Sequence, residues 1–297
     1  MPAKNDLPTV KTKPDFSKEP SVLRRLLRNR SGTVGLVIII FYVCLALLGA
    51  LGQTPYSPIE QHRIDRLQAP SSTYRLGTDL FGRDMLSRIM KGATNSLYVA
   101  FASVAISGLL GTLIGSASAY IGGQFDNIVM RLMDIFFAFP AILLALLIVV
   151  VLGRGLDKTI IAIAVVYTPI FARVARGPVL SVKEMEFVTS ARCVGMSDFR
   201  ILFRHVMPNT LAPLIVQISL ALSWSLLTEA GLSFLGLGTQ PPEPSWGVML
   251  SDSQGISEIA PWLMIYPGLA IMMGVLGFNL LGDGLRDVLD PRLKRLR

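Results

Sequence analysis

The sequence predicts an all-α integral membrane protein with six transmembrane helices. Of its 297 residues, 52% are hydrophobic and 16% are charged, whereas a soluble domain carries about 25% charged residues. Runs without a charged residue cover 31–59, 92–125, 135–153, 159–172, 205–228 and 259–282. A bilayer core needs roughly 20 apolar residues as a helix. Five runs meet that need, and Arg173 can extend the fourth by reaching to the interface.

The charge-free runs divide the chain into ordered segments. A basic segment, 1–30, precedes the first span at 31–52, and residues 53–93 form an external segment. Residues 94–283 form one transmembrane domain, and 284–297 form a basic tail. The five spans of that domain are predicted at about 97–121, 132–153, 158–177, 209–237 and 260–282, with a polar loop at 181–208.

Three local features refine these segments. Turn residues in 53–93 precede a short amphipathic helix that is predicted from about Arg83 to Lys91. Pro140 kinks the third span or marks a local break. Near that span, Arg131 and Asp134 have the spacing of an ion pair on one helix.

The second span carries small residues at every fourth position. Such a stripe lets two helix backbones approach closely in lipid, either as static packing or as a surface along which helices slide. The stripe consists of Ser103, Ser107, Gly111, Gly115 and Ala119.

The distribution of Lys and Arg predicts that both termini are cytoplasmic. With six spans, the side of the termini holds 20 of the 28 basic residues and the other side holds 8. Membrane proteins keep their basic residues mainly on the cytoplasmic side. Arg83, Arg88 and Lys91 are an exception, because they precede the second span on the outer side. The net charge of +8 therefore indicates topology in a lipid membrane and not nucleic-acid binding.

No catalytic or metal-binding motif is present in the sequence. The dipeptide Gly-Lys never occurs, so the chain has no phosphate-binding loop with which to hydrolyse ATP. Two histidines and two cysteines lack metal-site spacing. We expect a conduit that is not itself an enzyme and binds no cofactor. The rival class is an ion-coupled secondary carrier, which commonly places several ionisable groups in the membrane.

Two polar residues within the spans are candidates for a translocation path. Glu229 is the one strong intramembrane carboxylate, and such a group indicates function by default. The alternative is that Glu229 packs or hydrogen-bonds near the outer interface. Asn279, in the last span, either hydrogen-bonds to a neighbouring helix or touches the substrate.

The loop at 181–208 has the pattern of two short helices. Residues 183–194 predict a helix with Phe187, Ala191 and Val194 along one side. Gly195 can end that helix in the left-handed conformation. The second helix is predicted to start at Ser197 and Asp198, both good N-cap residues, and to stop at Pro208. Such an element favours docking of a soluble partner; a solvated loop lying flat on the membrane is the alternative.

The same loop resembles the cytoplasmic EAA loop of ABC-importer permeases. That pattern is Glu-Ala-Ala, three residues, Gly, nine residues, a usually aliphatic position, one residue and Leu-Pro. At those places this chain has Thr189, Ser190, Ala191, Gly195, His205, Met207 and Pro208. The acid is absent at Thr189, and Glu186, one helical turn earlier, is a candidate to replace it.

Three further segments are similar to the second permease subunit of dipeptide, oligopeptide and nickel importers. They read "LGTDLFGRDMLSRIMKGA" (76–93), "LSFLGLGTQPPEPSWGVML" (232–250) and "FNLLGDGLRDVLDPRLK" (278–294). The resemblance implies a type I importer in a bacterial cytoplasmic membrane. Its partners would be a different second permease, two ATPase subunits that use ATP and Mg²⁺, and an extracytoplasmic substrate-binding protein.

The resemblance also implies the roles of particular segments. The loop would form coupling helices that contact the ATPase through Glu186–Asp198. The binding protein would deliver its ligand near 78–91 and 239–260. Di- and oligopeptides are the implied substrates, with glutathione, nickel chelates or another small solute as alternatives.

Overall fold

The computed structural model describes residues 22–289 and shows helices connected by turns and loops. No β-strand is present in that range, where Thr78 and Asp84 form one isolated bridge. Residues 1–21 and 290–297 of the two predicted terminal segments lie outside it. The helices are α1 Val22–Leu26, α2 Arg30–Ala50, α3 Met85–Ile121, α4 Gly123–Phe137, α5 Ala141–Leu152, α6 Leu156–Val182, α7 Glu186–Cys193, α8 Asp198–Ile201, α9 Leu211–Phe234, α10 Trp246–Asp252 and α11 Trp262–Leu289.

Long apolar helices account for the membrane-crossing part of the fold. Five helical stretches are long and apolar enough to span a bilayer, namely α2, α3, α6, α11 and the stretch Asp198–Phe234, which includes α9. The pair α4 and α5 makes a sixth span if it is counted as one, and its two halves meet at 89°. Pro140 stands immediately before α5, so the predicted break is confirmed.

Two helices are longer than predicted. The prediction of a separate amphipathic helix from Arg83 to Lys91 is wrong, because α3 runs without interruption for 37 residues from Met85. Asp84 caps its start, where the carboxylate accepts the Ser87 backbone N–H at 2.8 Å. Likewise α6 continues through Pro178 to Val182, beyond the predicted end at 177. Helix α3 begins before the charge-free run 92–125 and α6 ends after the run 159–172, because a helix can continue into charged sequence.

The small-residue stripe of α3 packs against α6. A Cβ added to Gly115 would lie 2.0 Å from the Ala172 carbonyl oxygen, and one added to Gly111 would lie 2.4 Å from that of Thr168. The two backbones therefore touch where the glycines stand, as expected for small residues between membrane helices. This contact supports the static-packing alternative.

The largest buried cluster lies where α2, α3, α9 and α11 meet α10. Trp246 is fully buried there and makes an edge contact with Tyr42, with ring centroids 5.3 Å apart. Phe278 of α11 packs in the same way on Phe101 of α3 at 5.9 Å. The short helix α10 is thus part of the main core.

Ion pairs fix α4 to α6. The Arg176 guanidinium donates to both carboxylate oxygens of Asp126, at 2.9 Å and 2.6 Å. Asp134 accepts from Arg173, so the predicted pairing of Arg131 with Asp134 is wrong. Sequence spacing suggested a pair within one helix, but the fold brings α6 closer to the carboxylate.

Candidate functional site

A glycine elbow joins α7 to α8. The N–H of Gly195 donates to the Arg192 carbonyl at 2.9 Å, and that of Met196 donates to the Ala191 carbonyl at 3.1 Å. These two bonds form the Schellman arrangement that ends a helix. Gly195 has φ +79°, while a Cβ there would meet no atom within 4 Å. Glycine is therefore needed for its backbone conformation, and the predicted elbow is confirmed.

The second arm of the elbow is shorter and less regular than predicted. Ser197 occupies the N-cap position of α8, but its side chain makes no capping bond. The chain then passes through a π turn at Leu202–Val206 and a 3₁₀ turn at Met207–Thr210 before α9. Pro208 lies within this 3₁₀ turn, so it stands in the transition to the next span.

The buried side of the elbow differs from the predicted stripe. Val188 and Ala191 are the buried residues of α7, whereas Phe187 is 41% exposed and Val194 is 77% exposed. Of the three residues in the predicted stripe, only Ala191 is therefore buried. The elbow packs through these residues into a cluster with the ends of α3 and α6. Its buried members are Ala119, Val179, Val182, Val188, Ala191, Ile201, Leu202 and Val206.

The opposite side of the elbow exposes apolar side chains. We call this the elbow face and define it by Phe187, Val194, Phe199 and Phe203. Phe199 is 73% exposed, and its ring centroid lies 4.5 Å from that of Phe203. The predicted residues of the coupling loop that are also exposed are Glu186, Thr189, Ser190, Gly195, Ser197, Asp198 and Pro208. Exposed apolar groups beside polar residues are typical of a binding surface.

An arginine cluster, defined as Asp79, Arg83, Arg88 and Asp252, lies where the 53–84 segment meets α3 and α10; its arginines and Asp79 are buried, and Asp252 is partly exposed. Arg83 Nε lies 2.6 Å from Asp79 Oδ2, and Arg88 Nε lies 3.5 Å from the same atom. Asp252 approaches both arginines, at 3.6 Å and 3.4 Å. Two arginines that seemed exceptions to the charge rule are therefore paired inside the protein.

The environment of Asp252 affects its titration. Partial burial raises the pKa of the Asp252 carboxyl, and the nearby Asp79 carboxylate acts in the same direction. Arg88 and Arg83 oppose the shift by stabilising the charged form. Burial is the largest of these influences, so the pKa remains above its ordinary value.

Trp246 anchors α10 to the same part of α3. Its indole N–H donates to the Ile89 carbonyl at 3.1 Å, and its ring lies 3.0 Å from where a Cβ of Gly92 would stand. Nearby, the Asn95 amide donates to the Pro244 carbonyl at 2.8 Å. The loop before α10 and the helix itself are therefore both attached to α3.

The two path candidates occupy different environments. Glu229 is fully buried, and its Oε1 accepts the Ser233 hydroxyl at 2.7 Å, while Oε2 has no partner among residues 22–289. Asn279 is half-buried. Within the described range, no hydrogen bond or ion pair joins these two residues. Nor does that range contain a group of three or more His, Cys, Asp or Glu residues that could hold a metal ion.

Comparisons with known proteins identify the family. Residues 109–295 match the binding-protein-dependent transport system inner membrane component family, and 21–70 match the N-terminal transmembrane domain of oligopeptide transport permease C. The chain belongs to this permease family. It is therefore a multi-pass inner-membrane subunit of an ABC importer, and membership argues against an ion-coupled carrier.

Relatives of the permease match along nearly its whole length. It is 46% identical to the dipeptide transport system permease protein DppC of Alkalihalophilus pseudofirmus, over 91% of this chain and 89% of that one. It is 45% identical to a putative peptide transport system permease protein of Brucella abortus, over 97% of both chains. The glutathione transport system permease protein GsiD of Pectobacterium atrosepticum is 41% identical, over 97% and 96%.

A solved structure shares the fold of the permease. A chain of the methionine ABC transporter MetNI, in an inward-facing conformation, superposes with a TM-score of 0.57 at 19% sequence identity. The match covers 69% of this chain and 98% of the MetNI chain. The fold is therefore that of a type I ABC-importer permease, as predicted.

Some residues in and beside the elbow were missed by sequence reasoning. Tyr120, at the end of α3, donates its hydroxyl to Asp198 Oδ1 at 2.7 Å. Lys183 donates to the Ala119 carbonyl at 2.8 Å. Phe199 and Phe203 belong to the elbow face. A run of aromatic residues among arginines in 199–204 was the signal available for the last two; the first two depend on contacts between distant segments.

Proposed function

We propose that this chain is one of two different permeases of an ATP-driven importer for di- and oligopeptides. Two separate ATPase subunits bind ATP and Mg²⁺, and an extracytoplasmic binding protein delivers the substrate. The two permeases together form the translocation path, for which Glu229 and Asn279 are candidate residues. The transmembrane chain itself performs no hydrolysis.

The observation that carries this proposal is the elbow face. It presents a turn fixed by Gly195, exposed aromatic side chains at Phe199 and Phe203, and no covering segment within residues 22–289. A rigid helical element of this kind can transmit movement, because its short helices are packed on α3 and α6 through a buried cluster. The ATPase is the partner that we assign to it.

The orientation follows from the same assignment. If the elbow contacts a cytoplasmic ATPase, both termini are cytoplasmic, in agreement with the distribution of Lys and Arg. The arginine cluster and α10 then lie at the outer end, where the binding protein would dock. The substrate class rests on the relatives, two of which are named for dipeptide or peptide transport and one for glutathione.

The function is tested in the assembled complex. The chain is reconstituted into liposomes with the second permease, the ATPases and the binding protein, and ATP hydrolysis is measured with and without a dipeptide. Coupling requires the elbow to bind two ATPase states with different affinities. We expect the loaded binding protein to stimulate hydrolysis and to drive dipeptide uptake.

Gly195→Pro tests the elbow directly. Proline lacks the N–H that Gly195 donates to Arg192, and it cannot adopt φ +79°. Stimulation should therefore be lost. Gly177→Ala is the matched control, because Gly177 lies inside α6 and a Cβ there meets nothing within 4 Å. Full stimulation in Gly195→Pro would contradict the coupling role, and uptake of glutathione but not of dipeptides would select the alternative substrate.

A further inference from the structure

We propose that Tyr120 is a positioning residue that ties the elbow to α3, so that movement of the elbow is passed along α3 to α10. This inference rests on the proposed function, because it concerns how the ATPase signal reaches the far end of the permease. It adds a non-covalent connection to the covalent one, in which α7 follows α6 directly.

The first step is the contact between α3 and the elbow. The Tyr120 hydroxyl donates to Asp198 Oδ1 at 2.7 Å, and the Arg192 guanidinium carbon lies 5.5 Å from the centre of the Tyr120 ring. Tyr120 thus contacts both arms of the elbow, since Arg192 belongs to α7 and Asp198 to α8. Lys183 closes the same corner by donating to the Ala119 carbonyl.

The second step is the length and support of α3. At about 1.5 Å per residue, a helix of 37 residues extends for roughly 55 Å, which exceeds the thickness of a bilayer core. Backbone contact at Gly111 and Gly115 fixes α3 to α6 between its ends. A displacement at the elbow end therefore moves the helix as one body.

The third step is the contact at the opposite end. Trp246 donates to the Ile89 carbonyl and packs on Gly92, and Asn95 donates to the carbonyl that precedes Ser245. Helix α10 is thus held to α3 as well as to its neighbours in sequence, and we expect it to move with α3. Tyr120 and Trp246 are the two ends of one mechanical connection through α3.

Tyr120→Phe removes the hydroxyl and keeps the ring, and Tyr98→Phe is the matched control. Tyr98 lies on the same helix, is exposed, and has no hydrogen bond among residues 22–289. In the reconstituted complex, we expect Tyr120→Phe to lower the ratio of stimulated to basal ATP hydrolysis by about three- to tenfold, the size expected for one lost hydrogen bond. Tyr98→Phe should leave the ratio unchanged.

Two further measurements separate positioning from a purely local structural role. The first is hydrogen exchange of the Trp246–Asp252 amides: ATP should change it in the wild-type complex, and the change should shrink in Tyr120→Phe. The second is the ratio of stimulated to basal ATP hydrolysis in the Asp198→Ala variant. Adding Tyr120→Phe to that variant should not change the ratio further, because the acceptor is already absent. An additive effect, or an unaltered exchange response in Tyr120→Phe, would overturn the inference.

The outcome for the wild-type complex distinguishes the two proposals. Absence of stimulation by the loaded binding protein would reject the proposed function and the inference with it. Normal stimulation in both the wild type and Tyr120→Phe would leave the proposed function intact and reject the role of Tyr120 alone.

Discussion

The arginine cluster buries charged side chains, and the elbow face exposes apolar ones. Both arrangements are the reverse of what these side chains usually prefer. The cluster buries Arg88 to 2% exposure and pairs it with carboxylates of the same chain. The elbow face leaves Phe199 and Val194 exposed on the surface of the chain. Buried charges are tolerated when paired, whereas exposed apolar groups are stabilised only when something covers them. The first region pairs its arginines within one chain, and the second leaves apolar groups uncovered among residues 22–289.

Substitution of Arg88 by Met is expected to give the largest effect on stability. Removal of one member of a buried pair leaves Asp79 and Asp252 less compensated, and such changes cost about 3 kcal/mol. Thermal unfolding of the purified chain in detergent measures the loss. Arg75→Met is the control, because Arg75 is exposed and makes no ion pair within residues 22–289. Equal stability of the two variants would show that the cluster does not hold the region together.

Substitution of Phe199 by Ser is expected to have the opposite profile. Since the ring is exposed in the free chain, unfolding should shift little, but affinity for the ATPase should fall about tenfold, as for a central aromatic contact. Titration of the purified ATPase onto the permease pair measures the change. Ile64→Ser is the control, because Ile64 is 97% exposed but lies in the 53–84 segment. Unchanged affinity in Phe199→Ser would remove the elbow face as the docking surface.

The smallest expected effect is the pH dependence contributed by Asp252. Its pKa is raised in the folded chain, so the folded state binds a proton more tightly than the unfolded state. The resulting stability is fully present below the unfolded pKa, near 3.9, and is lost as pH rises through the folded pKa. Asp252→Asn should flatten this part of the pH profile of unfolding. A profile identical to that of the wild type would indicate that Asp252 is no less solvated than in the unfolded chain.

The sequence was informative where one residue type determines the local backbone. Pro140 marks the break between α4 and α5, and Gly195 forms the elbow, because their conformations are restricted or permitted by their own covalent structure. The apolar runs likewise marked the five long apolar helical stretches and the bent pair of α4 and α5. In each instance the determining information is local.

Prediction failed where two periodic patterns competed or partners were distant in sequence. In the eight-residue helix α7, Phe187–Ala191 and Val188–Ala191 are both helical spacings, and only packing on α3 and α6 selects the second. The arginines of the cluster were exceptions in the charge count, and one of their two carboxylate partners, Asp252, follows Arg88 by 164 residues. The contact of Tyr120 with Asp198 spans 78 residues and has no local signature.

The close approach of α3 to α6 limits the internal degrees of freedom of the permease. At Gly115 the gap to Ala172 cannot accept even one methyl group, so any shift that brings a residue other than glycine against the same carbonyl produces a steric clash. The two helices are thereby held in close backbone contact along the stripe. The helical hydrogen bonding is interrupted elsewhere, at the break at Pro140 between α4 and α5. We therefore expect conformational change to occur at hinges such as this break and not by gliding of α3 along α6.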